Sequence, residues 1–377
     1  MEMYITRLVK GWLFDAYSLQ ERMVFWIKQE NDGDAIKLED NNWSHSIYVA
    51  ADDKSDLKLI LREENIAWLI KDYEFIPKYE RIIDSTKSEV LKLTLSDSVK
   101  ALTLARKIET LGGRKKFGKF RLYNVDLLPA QSYFYEYDIF PLAFSTVDSS
   151  SSSYSCYSSK LTNWNSKEDN IWSIDYRVPN FKTIYLTINL KKERKIPRYT
   201  DRINSIIINQ EDETFEINKE SEADMIGELT AEVAKIDPDF IFTDDGDSFT
   251  FPYLIYRAEE NDIDLILSRE PVSLKKPTRE GISYFSYGRI YFKPTAVKLF
   301  GRIHFDISNS FFFSNETEEI ERKLDGLYEI SRICRMPLHT ASRASIGKCL
   351  SSLVLLCHTE RNSYTLEAYT CRTSKDI

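Results

Sequence analysis

Apolar and polar positions in residues 1–145 alternate in short runs separated by charged turns. Three runs rich in aromatic and β-branched residues predict strands, at 12–14, 23–27 and 46–49. A helix is predicted next, because apolar residues recur at helical spacing from Val99 to Leu111, after the capping residues 96–98 and before Gly112. This mixture predicts a compact α+β domain.

A different pattern begins beyond residue 170. Strands are predicted at 182–190, 202–209 and 214–218, followed by an acidic helix whose apolar face holds Met225, Ile226, Leu229, Val233 and Ile236. The apolar run at 240–243 is typical of a strand buried in a parallel sheet. Three strands, a helix and a buried strand predict an α/β domain with a mixed β-sheet.

Further elements are predicted towards the end of the chain. They are a helix from about 251 to 261, a strand at 262–267, an amphipathic helix at 320–335 and a short helix at 345–356. Residues 148–159 are rich in serine, which occupies eight of the twelve positions, and this predicts a flexible loop or junction. The predicted organisation is an N-terminal domain (1–145), a Ser-rich junction (146–169), an α/β domain (170–322), a helical segment (323–353) and a tail (354–377).

Composition narrows the class of protein. Gly 12 and Pro 11 are few for 377 residues and 42% of the chain is apolar, which indicates a folded protein. The start of the chain lacks the pattern of a signal peptide, and no apolar stretch is long enough for a membrane span. We therefore expect a soluble, cytoplasmic protein. The 5 cysteines include no C-x-x-C pair, so reduced thiols are expected rather than a zinc site.

The net charge of −8 argues at first against binding to nucleic acid phosphates. The deficit is local, however. Residues 211–240 contain eleven acidic and two basic residues, a net charge of −9, so the rest of the chain sums to +1. The charge therefore does not exclude a nucleic acid partner.

Six segments, in chain order, resemble archaeal family B DNA polymerases. The first three are similar to the N-terminal domain, the next two to the second exonuclease motif, and the last to a segment that leads towards the palm: 11–17, 122–126, 138–143, 237–241, 245–254 and 342–347. The resemblance implies an N-terminal mixed α+β domain followed by an RNase H-like 3′–5′ exonuclease fold. In this family the polymerase and the nuclease both use divalent metal ions.

The carboxylates that such a nuclease needs are substituted here. A proofreading site holds two metals between carboxylates supplied by three motifs. Aligned with the first motif, Thr187 and Asn189 replace Asp and Glu, and in the second motif Thr250 replaces Asp. No Y-x-x-x-D lies between residues 290 and 335. The resemblance therefore implies an inactive exonuclease domain with no catalytic residue and no cofactor, Mg²⁺ being expected only for the intact polymerase.

A rival interpretation places a displaced metal site on Asp244, Asp245 and Asp247. Three carboxylates within four residues could hold a hard cation. Asp is also the ordinary capping residue where a strand meets a helix, and this second interpretation is favoured because a two-metal site needs ligands from several strands.

The polymerase motifs of the family are missing as well. Neither D-x-x-S-L-Y-P, Y-x-D-T-D nor K-x-x-x-N-S-x-Y-G occurs. Whether this chain is an enzyme is therefore uncertain, although it resembles a nucleotidyltransferase. The resemblance implies that the palm, fingers and thumb would come from a separate polypeptide or have been lost by truncation.

Basic residues supply candidate contacts for template or single-stranded DNA. Residues 114–121 contain five cations and two aromatics, a combination that attracts phosphates and stacks on unpaired bases, although a solvated turn explains it equally well. The resemblance adds Arg343 and Ser345, because it places their segment beside the template path. The candidate DNA-binding residues are Arg114, Lys115, Lys116, Lys119, Arg121, Arg343 and Ser345.

Three hypotheses follow from the sequence. The first is the N-terminal and exonuclease-like part of a family B DNA polymerase that binds template DNA in replication. The second is a free-standing, non-catalytic module that binds single-stranded nucleic acid. The third is a 3′–5′ exonuclease whose metal ligands have moved to new positions.

Overall fold

The computed structural model describes residues 4–81, 84–111, 119–152, 159–167, 169–191, 197–211, 213–277, 281–286, 288–310, 313, 320–344 and 349. Contacts between Cα atoms divide the chain into two units. The first unit contains the described residues up to Arg177 together with 330–337, and the second contains 178–329 together with 338–344. The chain passes from the first unit to the second at 177–178, whereas the sequence predicted a junction at 146–169.

The first unit consists of nine strands and four helices within the described residues. They are β1 (Tyr4–Leu19), β2 (Arg22–Gln29), β3 (Ala35–Asp40), β4 (Ser46–Ala51), α1 (Lys54–Arg62), α2 (Glu64–Ala67), β5 (Ile70–Lys78), β6 (Ser88–Leu95), α3 (Ala101–Leu111), β7 (Phe120–Tyr123), α4 (Pro129–Glu136), β8 (Phe144–Ser152) and β9 (Ser159–Lys167). The predicted strands at 12–14, 23–27 and 46–49 lie in β1, β2 and β4, and the predicted helix is α3.

Five of these strands close into a barrel in the order β1-β2-β3-β9-β8. Its apolar residues, among them Leu13, Phe25 and Val147, pack with Tyr133 and Phe134 of α4 into one core. Because closure pairs every strand on both sides, the barrel has no open edge.

The Ser-rich stretch lies in this barrel, so the prediction of a loop is wrong for its described part. Strand β8 pairs with β1 from Phe144↔Trp12 to Ser152↔Tyr4, and β8 also pairs with β9. Residues 153–158 lie outside the described residues. Serine has little strand propensity, but two neighbouring strands satisfy the backbone of β8, and this tertiary pairing overrides propensity.

The other strands of the first unit form a four-stranded sheet in the order β5-β6-β4-β7. Val49, Leu91 and Leu93 on the sheet pack against Ile60 of α1 and Ile108 of α3. A short 3₁₀ turn, Ser98–Lys100, precedes α3.

The second unit is built on one mixed sheet. Its elements are β10 (Thr183–Leu190), β11 (Ile203–Gln210), β12 (Glu213–Ile217), α5 (Glu222–Ile236), β13 (Phe240–Thr243), α6 (Phe251–Glu260), β14 (Gly281–Ser286), β15 (Arg289–Pro294), β16 (Ile303–Asp306), α7 (Ile320–Ile333) and α8 (Leu338–Ala341). The division between the units falls within α7. The sheet order is β12-β11-β10-β13-β16. Strands β10, β13 and β16 run parallel to one another, and β11 pairs antiparallel with both of its neighbours, β10 and β12. The predicted mixed sheet is confirmed.

The acidic helix α5 begins and ends as its sequence dictates. The Ser221 hydroxyl caps it by accepting from the Asp224 amide at 3.3 Å, and Asp237 ends it with φ 50. Met225, Ile226 and Leu229 are buried in the core beneath the sheet. A π-helical turn, Gly246–Thr250, then joins β13 to α6.

Two other predictions are not confirmed, and one hairpin was not predicted at all. The predicted strand at 262–267 is wrong, because Leu265 donates its amide to the Ser273 hydroxyl at 3.2 Å rather than to a neighbouring strand. The β14–β15 hairpin was not predicted. Apart from Cys349, the predicted helix at 345–356 lies outside the described residues. Within the described part of the chain, no helix is long and apolar enough to cross a membrane.

Candidate functional site

The carboxyl ends of the parallel strands define the candidate site of the second unit. Strands β10, β13 and β16 are parallel neighbours, so the residues that follow them meet at one edge of the sheet. A cleft of about 220 Å³ opens there, and Thr187, Asp244, Asp245 and Thr250 lie among its lining residues. The structure therefore brings together two of the three substituted exonuclease positions.

The third substituted position is not among the residues that line this cleft. Asn189 is exposed, and its side-chain amide donates to the Ser205 hydroxyl on β11 at 3.2 Å. Alternation along β10 still places Thr187 and Asn189 on the same face of the sheet, opposite the core residue Leu186. The spacing of the first motif is thus retained without its charge.

Each cleft carboxylate already accepts a hydrogen bond from a neighbour. The Thr250 hydroxyl donates to Asp245 Oδ1 at 2.7 Å. Burial raises the pKa of Tyr185, and a hydrogen bond from its hydroxyl to Asp244 raises it further. Both acids therefore contribute to the local structure of the cleft wall.

Asp247, the third metal candidate, is buried away from this pair. Its Oδ2 accepts from Arg343 Nε at 2.5 Å and from the Asn309 amide at 2.8 Å, and its Oδ1 accepts from the Val297 backbone amide at 2.8 Å. Burial alone would raise the pKa of this carboxyl, but the charge and hydrogen bonds of Arg343 outweigh it and hold the pKa at about 2. Asp247 is thus ionised, and both of its carboxylate oxygens are held by hydrogen bonds.

His304 completes this buried cluster. Its Nε2 lies 2.8 Å from the Thr243 hydroxyl and its Nδ1 lies 3.0 Å from Arg343 Nη2. Burial, with the nearby charge of Arg343, lowers the pKa of His304 to about 3, so the ring is neutral. A Cβ on Gly246 would lie 2.1 Å from the Thr243 hydroxyl, which explains the glycine at this position.

Asp306 ends β16 beside the same cluster. Its Oδ2 accepts from the backbone amide of Asp247 at 2.7 Å, and its Oδ1 accepts from the backbone amide of Asn309 at 3.0 Å. Burial raises its pKa to about 6, and the charge of Asp247 contributes in the same direction. The carboxyl therefore titrates close to neutral pH.

The residues at this edge do not fit a two-metal centre. Thr187 and Thr250 supply neutral hydroxyls, and Asp247 is occupied by Arg343. Over the described ranges, no group of three or more His, Cys, Asp or Glu residues is placed to hold a metal ion. The predictions of an inactive site and of no bound metal stay predictions, since neither activity nor binding has been measured.

The predicted DNA-binding residues that the structure describes are engaged in ion pairs. Lys119 Nζ lies 2.7 Å from Asp56, and Arg121 donates to Glu80 at 2.7 Å and to Asp52 at 2.6 Å. The hydrogen bond to Glu80 raises the pKa of Arg121, which keeps the guanidinium charged. Phosphate contacts by these two residues stay predictions.

The remaining candidates are placed as follows. Arg114, Lys115, Lys116 and Ser345 lie outside the described residues. Arg343 is buried, and besides Asp247 it donates to the His304 carbonyl at 3.0 Å. A phosphate contact by Arg343 stays a prediction, and it would require this side chain to leave its partners.

The pairing of Arg343 with Asp247 could not be predicted from the sequence. The two residues are 96 positions apart, and one was assigned to DNA and the other to metal. A second arginine towards the end of the described chain, Arg332, is also buried. It lies in the first unit, donates to both carboxylate oxygens of Asp169 at 2.8 and 3.0 Å, and stacks on Tyr176. Each of these two arginines is therefore buried and paired with a carboxylate of its own unit.

The mixed sheet of the second unit, with its helices and a cleft at the carboxyl ends of its parallel strands, has the RNase H-like architecture that the sequence predicted. The family described as "DNA polymerase family B, exonuclease domain" matches residues 120–325, which is more than half of the chain. The chain therefore belongs to DNA polymerase family B through its exonuclease domain.

Known relatives agree with this assignment. The chain is 41% identical over 87 residues to a DNA polymerase of Pyrococcus horikoshii and 42% identical over 87 residues to DNA polymerase 1 of Pyrococcus abyssi. Each match covers 23% of this chain and 6% or 10% of the relative. The chain thus matches only a small part of these relatives.

A solved structure extends the similarity in fold. The family B DNA polymerase of the hyperthermophilic archaeon Pyrobaculum calidifontis superimposes with a TM-score of 0.69 at 16% identity. The match covers 95% of this chain and 51% of the polymerase chain. The predicted resemblance to the N-terminal and exonuclease part of an archaeal family B polymerase is confirmed, and so is the predicted fold class.

Proposed function

We propose that this chain binds template or single-stranded DNA in replication and does not hydrolyse it. The observation that carries the proposal is the cleft at the carboxyl ends of β10 and β13, where Thr187 and Thr250 occupy positions that hold carboxylates in active members of the family. The fold of a nuclease is retained while its charged ligands are replaced, which favours a binding role.

The electrostatics of the reaction support this proposal. Two divalent ions held close together need several anionic ligands to offset their charge. A threonine hydroxyl is neutral, and Asp247 is neutralised by Arg343 at 2.5 Å. Asp306, with a pKa of about 6, is only partly protonated at neutral pH, yet its two oxygens accept from backbone amides. The carboxylates that line the cleft itself are Asp244 and Asp245, and these two are too few to hold two divalent ions.

A nuclease assay tests the absence of hydrolysis. The full chain is incubated with 5′-labelled single-stranded DNA and Mg²⁺ or Mn²⁺, and the products are resolved by length. We expect the DNA to remain intact. Metal-dependent shortening from the 3′ end that Asp244→Asn and Asp245→Asn both abolish would instead establish an exonuclease with relocated ligands.

A binding titration tests the other half of the proposal. Fluorescence anisotropy of a labelled single strand, measured in EDTA, should show saturable binding that weakens as salt rises, because phosphate contacts release counterions. Replacing Arg114, Lys115 and Lys116 with alanine should reduce both the affinity and its salt dependence. Binding absent at low salt would contradict the proposal.

The partner of the chain is part of the same proposal. The chain spans about half of the matched polymerase structure. The partner that we propose is a palm, fingers and thumb polypeptide of the same family. The alternative is a free-standing module that binds single strands alone. Primer extension by the remaining polymerase domains, with and without this chain, separates the two: stimulation supports the split enzyme, and no effect supports the free-standing module.

A further inference from the structure

An exposed tryptophan lies on the surface of the first unit, at the end of α2. The side chain of Trp68 is 57% exposed. Its orientation is nevertheless fixed, because its indole nitrogen donates to the Asn65 carbonyl at 3.1 Å. Its own carbonyl accepts from the Ser96 hydroxyl at 3.0 Å, which anchors the backbone. A large aromatic surface is therefore held in place while open to solvent.

Two lysines flank this ring. The ammonium group of Lys100 lies 5.0 Å from the ring centroid of Trp68 and that of Lys107 lies 6.0 Å from it. Lys107 is steadied by donating to the Asn65 carbonyl at 3.2 Å. Cations next to an aromatic face are the arrangement with which single-strand binding proteins take up a base and its phosphate.

Trp68 also forms one wall of a cavity of about 730 Å³. The other walls include two amide side chains, a hydroxyl and two cations: Gln20, Asn41, Ser96, Arg22 and Lys100. Amides and hydroxyls can donate and accept hydrogen bonds at the edge of a base. The volume is within the range of small-ligand sites and is large enough for a nucleotide.

The charged groups that line this cavity balance one another. Asp97 accepts from the Val99 amide at 3.2 Å, which starts the 3₁₀ turn before α3, and it lies 3.4 Å from Lys100. Glu21 is the other acidic lining residue, and Arg22 is paired with Glu39 at 3.1 Å. Lys107, which lies near the ring but outside the lining, therefore supplies a further positive charge for a phosphate.

We propose that the Trp68 cavity binds an unpaired nucleobase by stacking on the indole, with Lys100 and Lys107 contacting the adjoining phosphates. The proposal rests on the proposed DNA-binding function and gives it a second, separately located site. It concerns the first unit, whereas the cleft that contains Thr187 and Thr250 belongs to the second.

Anisotropy titrations with a labelled single strand test this site. Trp68→Ala should weaken binding by about 5- to 150-fold, the usual effect of losing one stacked base, and should leave the salt dependence unchanged. Trp68→Phe should restore most of the affinity. Lys100→Ala and Lys107→Ala should each lower the slope of log K against log salt by about 0.7. Trp172→Ala removes a tryptophan that is similarly exposed, at 49%, and should leave both the affinity and its salt dependence unchanged.

The outcomes separate this inference from the function on which it rests. If the wild-type chain binds no single strand at low salt, both fail. If the wild type binds but Trp68→Ala binds equally well, the cavity is not the site and the DNA-binding function stands. If the chain binds duplex DNA as tightly as single strands, and this binding depends on Trp68 to the same extent, the proposal of an unpaired base is wrong.

A competition arm identifies the source of the base. Deoxynucleoside monophosphates are added to the labelled complex of the wild type and of Trp68→Ala. Displacement at micromolar concentration that requires Trp68 supports a site for free nucleotides, whereas displacement only by longer single strands supports a base within a polymer. Displacement that does not depend on Trp68 contradicts the proposal.

Discussion

The two units present opposite kinds of surface where binding or chemistry is expected. In the first, Trp68 is exposed beside an open cavity with cations around it. In the second, the sheet edge that carries catalysis in active nucleases ends in a buried cluster in which Arg343, Asp247 and His304 satisfy one another. Charged groups that are already paired inside a protein have little left to offer a ligand. The comparison favours the first unit as the location of the proposed DNA binding, and it assigns a structural role to the buried cluster of the second unit.

The two units can also be observed separately. All 6 tryptophans of the chain lie at or before residue 172, within the first unit: Trp12, Trp26, Trp43, Trp68, Trp164 and Trp172. Tryptophan fluorescence therefore reports on the first unit alone. Far-UV circular dichroism also includes the helices α5 and α6 of the second unit. A difference between the two signals measures the second unit.

The largest effect is expected from breaking the buried ion pair. Arg343→Met leaves the Asp247 carboxylate unpaired in the interior and should lower the free energy of unfolding of the second unit by about 3–5 kcal/mol. Urea unfolding should show an earlier transition by circular dichroism, with the fluorescence transition unmoved. The double variant Arg343→Met/Asp247→Asn should recover part of the loss, because no charge is then buried. Equal shifts of both signals would show that the units do not unfold independently.

A smaller effect is expected from the pH. Burial lowers the pKa of His45 to about 4 and that of His304 to about 3, and it lowers the pKa of His339 well below 6.5. Such neutral imidazoles contribute stability that is present above pH 6.5 and is lost as the pH falls towards the folded pKa. Asp306 acts in the opposite direction. Its pKa of about 6 lies above the unfolded value of 3.8, so the folded state gains stability as the pH falls through that window.

The pH dependence of stability therefore comes from one histidine in the first unit. In the second unit it comes from two histidines, and the opposite contribution of Asp306 offsets one of them. We expect both units to lose stability at similar rates from pH 6 to pH 5. Asp306→Asn should steepen the loss in the second unit by about 1 kcal/mol per pH unit, because a carboxyl with a pKa of about 6 holds on average about three quarters of a proton between pH 6 and pH 5. Urea midpoints at several pH values measure this. An unchanged slope would mean that Asp306 does not titrate in this range.

The smallest effect is expected from a partly exposed pair in the first unit. Lys119 and Asp56 lie 2.7 Å apart, with about a fifth of each side chain exposed. Because water screens such pairs, Lys119→Ala should change the stability of the first unit by about 0.2–1 kcal/mol. The shift of the fluorescence midpoint should thus be several-fold smaller than the shift caused by Arg343→Met. A loss as large as that one would remove the contrast between the two units.

The sequence predicted the parts of the fold that local pattern controls. Strands β10 and β11 and helix α5 follow directly from their periodicity, and Ser221 and Asp237 mark the ends of that helix. The Ser-rich strand β8 could not be predicted, because its pairing with β1 comes from residues more than 130 positions away. The segment 262–267 has a strand-like composition but pairs with a side chain instead.

The candidate site was predictable only in part. The resemblance assigned Thr187 and Thr250 to two motifs of one proofreading site, and both residues line the same cleft. The partner of Asp247 was not predictable, since a carboxylate in an acidic turn gives no sign of a guanidinium 96 residues away. Trp68 was missed because one tryptophan that follows a short helix has no sequence pattern around it, and only its exposure draws attention to it.

The acidic residues that set the net charge have a further consequence at the edge of the second sheet. Strand β12 ends the order β12-β11-β10-β13-β16, and four of its five residues are exposed, with Glu213 and Glu216 among them. An edge strand is a template on which another chain can add a strand, and like charges along it prevent this. At mildly acidic pH or high salt, where that repulsion is weakened, self-association should begin at β12, whereas the closed barrel of the first unit offers no edge for it.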